Sequence, residues 1–497
     1  MRPIEGRLGS GDNRLPGPHG QNKFQGEKAM TAVTRKIAEF ASAIAYDALP
    51  AEVIERAAML LLDMVGIAIR ARHDAESTPS LIAAAAKLGL DGGKHVVFGD
   101  RRGFRPAGAA LVNGTLAHSL DFDDTHAGGS LHPSAPIVPA ALAAAEMAGA
   151  DGEELIHAVV AGYEIQIRLS LALGPREHYD RGFHPTATCG IFGAAAAAGR
   201  IFCLTPEEME RAFGIALSQS AGSMQFLADG AWTKRFHVGH AAMCGLMAAA
   251  FAKEGFKGPA QAFEGEAGFF HAYAPNPRHE LAVAGLGEQW KTLEIAVKPY
   301  PSCRYSHAPL DALLQLRAAN DIKPDEIETV EIGVPAIGWN IIGTPEAAKH
   351  APQSVVDGQF SMAFCAAVAL REGGMAWDDY ARHLKDKKTL DLCRRVATVV
   401  DSRADAAYPK NMSGVARIRT RRGQFEAFVE TPKGEPANFV TSAELAAKFD
   451  GLAAPYVAAD RLDELKARLL AIHMEEDINE VLRLTRPQVA EVLKAGE

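Results

Sequence analysis

Between Met30 and about Gly285 the chain repeats one pattern, a polar or proline-marked start followed by an alanine-rich apolar stretch, and this repetition restricts the fold more than any other feature. Thr205-Pro206-Glu207-Glu208 shows the pattern in full. A threonine cap is followed by proline at the first helical position and by a glutamate that closes a capping box. Asp151-Gly152-Glu153-Glu154 repeats it with aspartate as the cap, and Ile37, Phe40, Ala41 and Ile44 recur at helical spacing soon after Met30. Alanine lets helix axes approach closely, so Ala141 to Ala145 and Ala194 to Ala198 are predicted as buried, tightly packed helices.

Around residue 290 the pattern changes. Leu293 to Val297 and Glu328 to Ile332 alternate with period two and are predicted as strands. A hairpin is predicted from Ala416 to Thr420, turning near Arg422-Gly423 and returning from Gln424 to Val429. Helices such as Ala308 to Ala319 lie between these strands, and capped helical patterns resume at Ser442. The expected fold is mainly α: a large all-helical domain formed by both chain ends (30–295 and 431–497) plus a smaller α+β lid domain (296–430). Residues 1–29 are polar, rich in Gly, Pro, Asn and Gln, and without an apolar signal-peptide region, so a disordered tail is expected there.

Charge and motifs exclude several classes of function. The formal net charge of −9 is not the balance of a nucleic-acid binder. No run approaches the roughly 18 apolar residues that a membrane helix needs. Six scattered cysteines without a CxxC pair are expected to be reduced thiols of a cytoplasmic protein. No GxGxxG followed by an acidic residue, no GxxxxGK[ST] and no GxSxG occurs, which argues against nucleotide cofactors and serine hydrolysis.

Four segments hold the candidate chemistry. The first runs from His118-Ser119-Leu120-Asp121-Phe122-Asp123-Asp124-Thr125-His126 through Gly128-Gly129 to His132-Pro133, packing carboxylates and imidazoles beside a glycine turn. If it is helical, Asp121 and Thr125 share a face, while the glycines let His132 fold back. It matches neither an EF-hand nor a zinc signature, so no metal is expected. The second, Arg181 to Thr186, is a proline-marked helix start where His184 and free N–H groups would suit an anion. The third, Trp232 to His240, concentrates Lys234, Arg235, His237 and His240, a cationic cluster suited to a small anion in a chain of net −9. The fourth, Lys298 to His307, is stiffened by proline and offers Lys298, Arg304, Tyr305 and His307 for substrate binding, with Arg304 able to grip a carboxylate through two parallel bonds. Cys303 lacks an evident base and reads as packing.

In this order the segments resemble the MmgE/PrpD family, from about Thr31 onward. The most specific parts are Ala117 to His126, His132 to Ala135, Gly182 to Thr186, and Thr233-Lys234. The resemblance implies a helical domain and a lid with the site between them, a cofactor-free homodimer, and catalytic roles for Asp121, Thr125, His132, His184 and Lys234, with Lys298 as the lid lysine. Two places depart from better-known members. Cys303-Arg304 stands where a histidine is expected, and Phe360 follows Gln359 where a tyrosine is expected. Decarboxylation of cis-aconitate loses ground by that reading.

The residues and the resemblance converge on carbon-acid chemistry beside a carboxylate of a small di- or tricarboxylate. Lys234, Lys298 and Arg304 would neutralise the developing dianion, and His132, tuned by Asp121 and assisted by His184, would move the proton. The leading expectation is a dehydratase; an epimerase of a substituted succinate and a catalytically silent binding protein are the alternatives.

Overall fold

The computed structural model of the chain describes residues 32–487, so the tail expected over residues 1–29 lies outside the described residues. The alanine-rich stretches are helices packed against one another: Pro106–Ala117, Ser134–Ala148, Gly152–Leu173, Gly190–Ile201 and Thr233–Lys253 form the centre of a helical body. Both predicted capping boxes are formed, with the Asp151 and Thr205 side chains accepting from the N–H groups of Glu154 and Glu208. Ala141 to Ala145 and Ala194 to Ala198 are buried throughout. Small residues set the helix spacing. A Cβ at Gly239 would stand 2.2 Å from the Leu111 carbonyl, so glycine lets Thr233–Lys253 lie directly on Pro106–Ala117. That contact fixes the height at which Lys234, in the first turn, meets the loop leaving the other helix.

Buried apolar side chains form two clusters. One extends from Val33 to Val297 and is completed by Val440 to Leu482, so the late helices Ser442–Ala453 and Ala459–Leu470 return to the body. The other draws its buried residues only from Cys303 to Val429. This second, sheet-bearing unit has strands β3 (Ile327–Val334), β4 (Val396–Val400), β5 (Gly414–Thr420) and β6 (Gly423–Val429) in the order β4-β3-β5-β6. β3 runs parallel to β4 and antiparallel to β5, with Ile332 opposite Thr398 on one side and Ala416 on the other. Helix His307–Ala319 packs on β5 and β6.

The mainly α expectation holds, with three differences. The helical body also carries a small hairpin, β1 (Asp91–Val96) and β2 (Gly103–Phe104), whose glycines break the alternation that would announce strands. Leu293 to Val297 is not a strand: a 3₁₀ turn occupies Lys291–Glu294, and a single antiparallel bridge joins Ala296 to Thr125. Ile295, Ala296 and Val297 are buried in succession, so the alternation of residue types there does not mark a strand. β4 is short, and its parallel partner lies far off in sequence, so local periodicity did not announce it. Among the described residues no helix is long and apolar enough to cross a membrane.

Candidate active site

Helix Pro106–Ala117 ends at His118, and the chain then runs as an irregular loop to Pro133. The helical reading of this segment is overturned, and Asp121 and Thr125 share no helix face. Asp121 adopts φ 51°, in the left-handed region that aspartate tolerates better than most residues. This turn aims its carboxylate away from the helix. The glycine turn does fold the chain back as expected, with His126 N–H donating to Leu131 O at 2.8 Å and Gly129 N–H to His126 Nδ1 at 2.8 Å.

Two lysines far apart in the sequence meet on Asp121. Lys234 Nζ, from the helical body, donates to Oδ1 at 2.9 Å. Lys298 Nζ donates to Oδ2 at 3.2 Å and to the Asp121 carbonyl at 2.5 Å. Lys298 arrives there because Thr125 and Ala296 exchange two backbone hydrogen bonds of 2.8 Å, which clamp the chain two residues before it. Burial alone would raise the Asp121 pKa, but the Lys234 and Lys298 ammonium groups hold it far below the usual carboxylate range. Burial works against the Lys234 ammonium, and Asp121 outweighs it, so the Lys234 pKa is raised. The trio carries 2 − 1 = +1, a fixed positive centre for an anionic ligand.

Beside it, Asp123 serves two imidazoles. His118 Nδ1 lies 2.6 Å from Asp123 Oδ2, and His132 Nδ1 stands 3.2 Å from the same oxygen, too oblique for a good hydrogen bond. Burial holds His118 down to about 4, so it is neutral near neutral pH and donates its Nδ1–H to the carboxylate. Burial pushes Asp123 up and the two imidazoles pull it well below its ordinary value, so it stays ionised. The His118 side chain has no exposure, whereas that of His132 is 15% exposed. His184 stacks on His118 with ring centroids 5.9 Å apart, and burial keeps it neutral, well below the ordinary histidine pKa. It has no carboxylate partner among the described residues. The helix it opens, Pro185–Thr188, is four residues long and buried rather than an open anion seat; the Thr186 hydroxyl accepts from His132 N–H at 3.2 Å.

A cavity of about 200 Å³ opens onto this cluster. His118, Asp121 and Lys234 line it from the helical body, and Gln359 and Phe360 from the sheet-bearing unit. Gln359 Nε2 donates to Leu120 O at 2.6 Å and so ties that unit to the loop. Beneath the loop, buried Asp124 accepts from Ser134 N–H and Oγ, and Ser134 Oγ also meets the Tyr163 hydroxyl at 2.6 Å. Lys448 of the returning helix pairs with Asp63 at 2.6 Å and donates to Phe122 O at 3.1 Å.

The remaining expected residues fall outside this cluster. Thr125 contributes its backbone, as the clamp described above. Arg304 donates to Val297 O at 3.0 Å and pairs with Glu435, so its guanidinium is already occupied. Tyr305 packs against Gly338 and Tyr408. His307 is buried with Nε2 on Ser302 O. His237 lies next to His184, with ring centroids 5.7 Å apart. Burial pushes the Cys303 thiol up to about 11, which fits its reading as packing. Sequence reasoning passed over His118, Asp123 and Gln359. The first two sat in the densest polar motif of the chain, and their spacing of five carries no helical or strand periodicity that would have paired them.

Among the described residues, His118, Asp123 and His132 bring ligand atoms within 4.8 Å of one another, as do Glu372, Asp379 and His383 on the sheet-bearing unit. Either set offers donors that a metal ion would accept. The 2.6 Å between His118 and Asp123, however, is the spacing of a shared proton. Two ligands about 2.1 Å from a tetrahedral ion stand roughly 3.4 Å apart.

An ionised aspartate facing two imidazoles thus stands next to two lysines that share a second aspartate. The chain belongs to the MmgE/PrpD family: residues 35–282 match the MmgE/PrpD N-terminal domain and residues 300–471 the C-terminal domain. The cis-aconitate decarboxylase-like protein oryM of Aspergillus oryzae is 27% identical over 481 residues, 91% of this chain and 97% of that protein. Cis-aconitate decarboxylase of Aspergillus terreus is 28% identical over 486 residues, 92% of this chain and 96% of its own length. The human cis-aconitate decarboxylase is 30% identical over 281 residues, 54% of this chain and 56% of its own.

Proposed function

We propose that this protein is a cofactor-independent lyase that removes water from a small hydroxy di- or tricarboxylate. The observation that carries the reading is the meeting of Lys234 and Lys298 on Asp121, next to the His118–Asp123–His132 group, with His118, Asp121 and Lys234 lining one cavity. A carboxylate of the substrate is drawn to the net positive trio. His132, the partly exposed imidazole, takes the proton from the carbon next to that carboxylate. The electron pair spreads onto the carboxylate as an enediolate and is stabilised by the ammonium groups, each well-placed donor being worth about 10²- to 10³-fold. It then forms the carbon–carbon double bond as the C–O bond of the β-hydroxyl breaks. Lys234 protonates the departing hydroxide, so water and an enoate leave, and the proton on His132 returns to Lys234 through solvent. His184 and His118, both kept neutral by burial, shape the pocket rather than supply this proton.

The test is to incubate the protein with 2-methylcitrate, citrate and related hydroxy acids and follow enoate absorbance. A flat trace across the panel overturns dehydration. A second reading, decarboxylation of a tricarboxylate, is supported by the names of the relatives. It is disfavoured by Phe360, which brings no hydroxyl to the cavity, and by the buried Cys303 thiol. Release of CO₂ without water loss distinguishes it.

A further inference from the structure

The cavity has two unlike walls. His118, Asp121 and Lys234 supply one part of its lining, and Phe226, Leu227 and Trp232 of the helical body with Val356 and Phe360 of the sheet-bearing unit supply another. Three of these are far more exposed than large apolar side chains usually are: Leu227 at 70%, Val356 at 48% and Trp232 at 44%. A substrate made only of carboxylates and hydroxyls would gain nothing from them, and each exposed apolar group loses hydrophobic free energy until something covers it. Besides His118, Asp121 and Lys234, the polar side chains on the cavity are Ser119, Gln359, whose amide is spent on Leu120 O, and Arg235. Its Nη1 donates to Ser77 Oγ at 3.2 Å, and among the described residues it has no carboxylate partner. Arg235 therefore offers a second anion contact while the surface around it stays apolar.

From this division we infer that the natural substrate is a polycarboxylate carrying an apolar alkyl substituent of several carbons, held by the lysine end through its carboxylates and by Phe226, Leu227, Trp232, Val356 and Phe360 along its chain. The inference rests on the lyase reading of the same site and narrows its substrate class.

The experiment measures binding, so it does not depend on turnover. Unreactive 2-alkylsuccinates, from methyl to hexyl, and unsubstituted succinate are titrated calorimetrically into the full chain. Each added methylene is expected to tighten binding about fourfold until the chain outgrows the cavity. Leu227→Ser and Val356→Ser, both at exposed positions that the fold does not need, are expected to flatten that gain. Met474→Ser, exposed but outside the cavity, is expected to keep it. Succinate binding with no gain along the series overturns the alkyl inference and leaves the lyase reading standing. A gain that survives both cavity variants overturns it as well, because the chain then binds elsewhere. Tightening along the series without turnover of any alkylated hydroxy acid supports the substrate class and counts against dehydration. Failure of every member to bind, succinate included, removes both.

Discussion

The loop from His118 to His132 and the segment from Lys298 to His307 are both dense in polar side chains, yet they spend them differently. In the segment most groups already have partners, although His307 Nδ1 is buried without one. Arg304 is taken by Glu435 and Val297, His307 by Ser302, and the Ser302 and Ser306 hydroxyls by each other at 2.7 Å. Lys298 alone is spent on Asp121. In the loop the accounts do not close: His118 Nε2 and Asp123 Oδ1 are buried with no hydrogen-bond partner. Each such atom costs about 1–3 kcal/mol of stability. The contrast teaches that polar density alone does not locate chemistry: the loop's groups gather beside a cavity that His118 and Asp121 line, whereas most of the segment's are spent on the fold.

The strongest way to break this comparison is to mutate one cation from each kind of setting. Lys298→Met removes one of the two ammonium groups at Asp121, and turnover of whichever acid the substrate panel identifies is expected to fall by about 10²- to 10³-fold. Arg304→Met should leave turnover within a few-fold. It instead strands the carboxylate of Glu435, 16% exposed, at a cost of roughly 3–5 kcal/mol that appears as a lower melting temperature. Steady-state kinetics and thermal melts on both variants decide the matter. Equal losses of turnover with an unchanged melt for Arg304→Met would return that arginine to the substrate.

The same contrast explains what the sequence could reveal. Helices announced themselves through caps and alanine stripes because those signals are local: Thr205 and Glu208 are three residues apart and touch. The hairpin β5–β6 was readable for the same reason. Lys234, Lys298 and Asp121 were singled out by residue type and by family likeness, but not the hydrogen bonds that join them, which span 113 and 177 residues. Arg304 was singled out without its partner, Glu435, which lies 131 residues away, past the whole sheet. The expected helix through Asp121 and Thr125 failed because Thr125 gives its backbone to Ala296, a pairing no local rule contains.

A smaller effect sharpens the role of the loop's shared carboxylate. Asp123→Asn keeps the shape but removes the charge that faces His118 and His132. The expected result is a fall in kcat of about 10²-fold with KM changed little, in line with losing the orientation and tuning of a general base. A variant whose kcat stays within a few-fold of the wild type would mark Asp123 as packing only.

The smallest effect asks whether every carboxylate of the loop belongs to its reactive side, and Asp124 is the one that should not. Burial raises its pKa to about 8, so near neutrality the folded protein holds a proton on Asp124 that the unfolded chain has released. Between the ordinary carboxylate value near 4 and about 8, stability therefore falls as pH rises, and it levels off above about 8. His118 acts in the opposite sense and lower down: its folded pKa near 4 lies below the ordinary histidine value, so its contribution is complete above about 6.5 and is lost as pH falls toward 4. Between pH 6.5 and 8 Asp124 titrates alongside Glu146, which burial raises to about 7, so it is the comparison with Asp124→Asn that isolates it. There the wild-type protein should lose up to about 2 kcal/mol relative to Asp124→Asn, whose amide does not titrate but can still meet Ser134. Denaturant melts of both proteins at the two ends of that window read the difference, and parallel pH dependences would place the titrating group elsewhere.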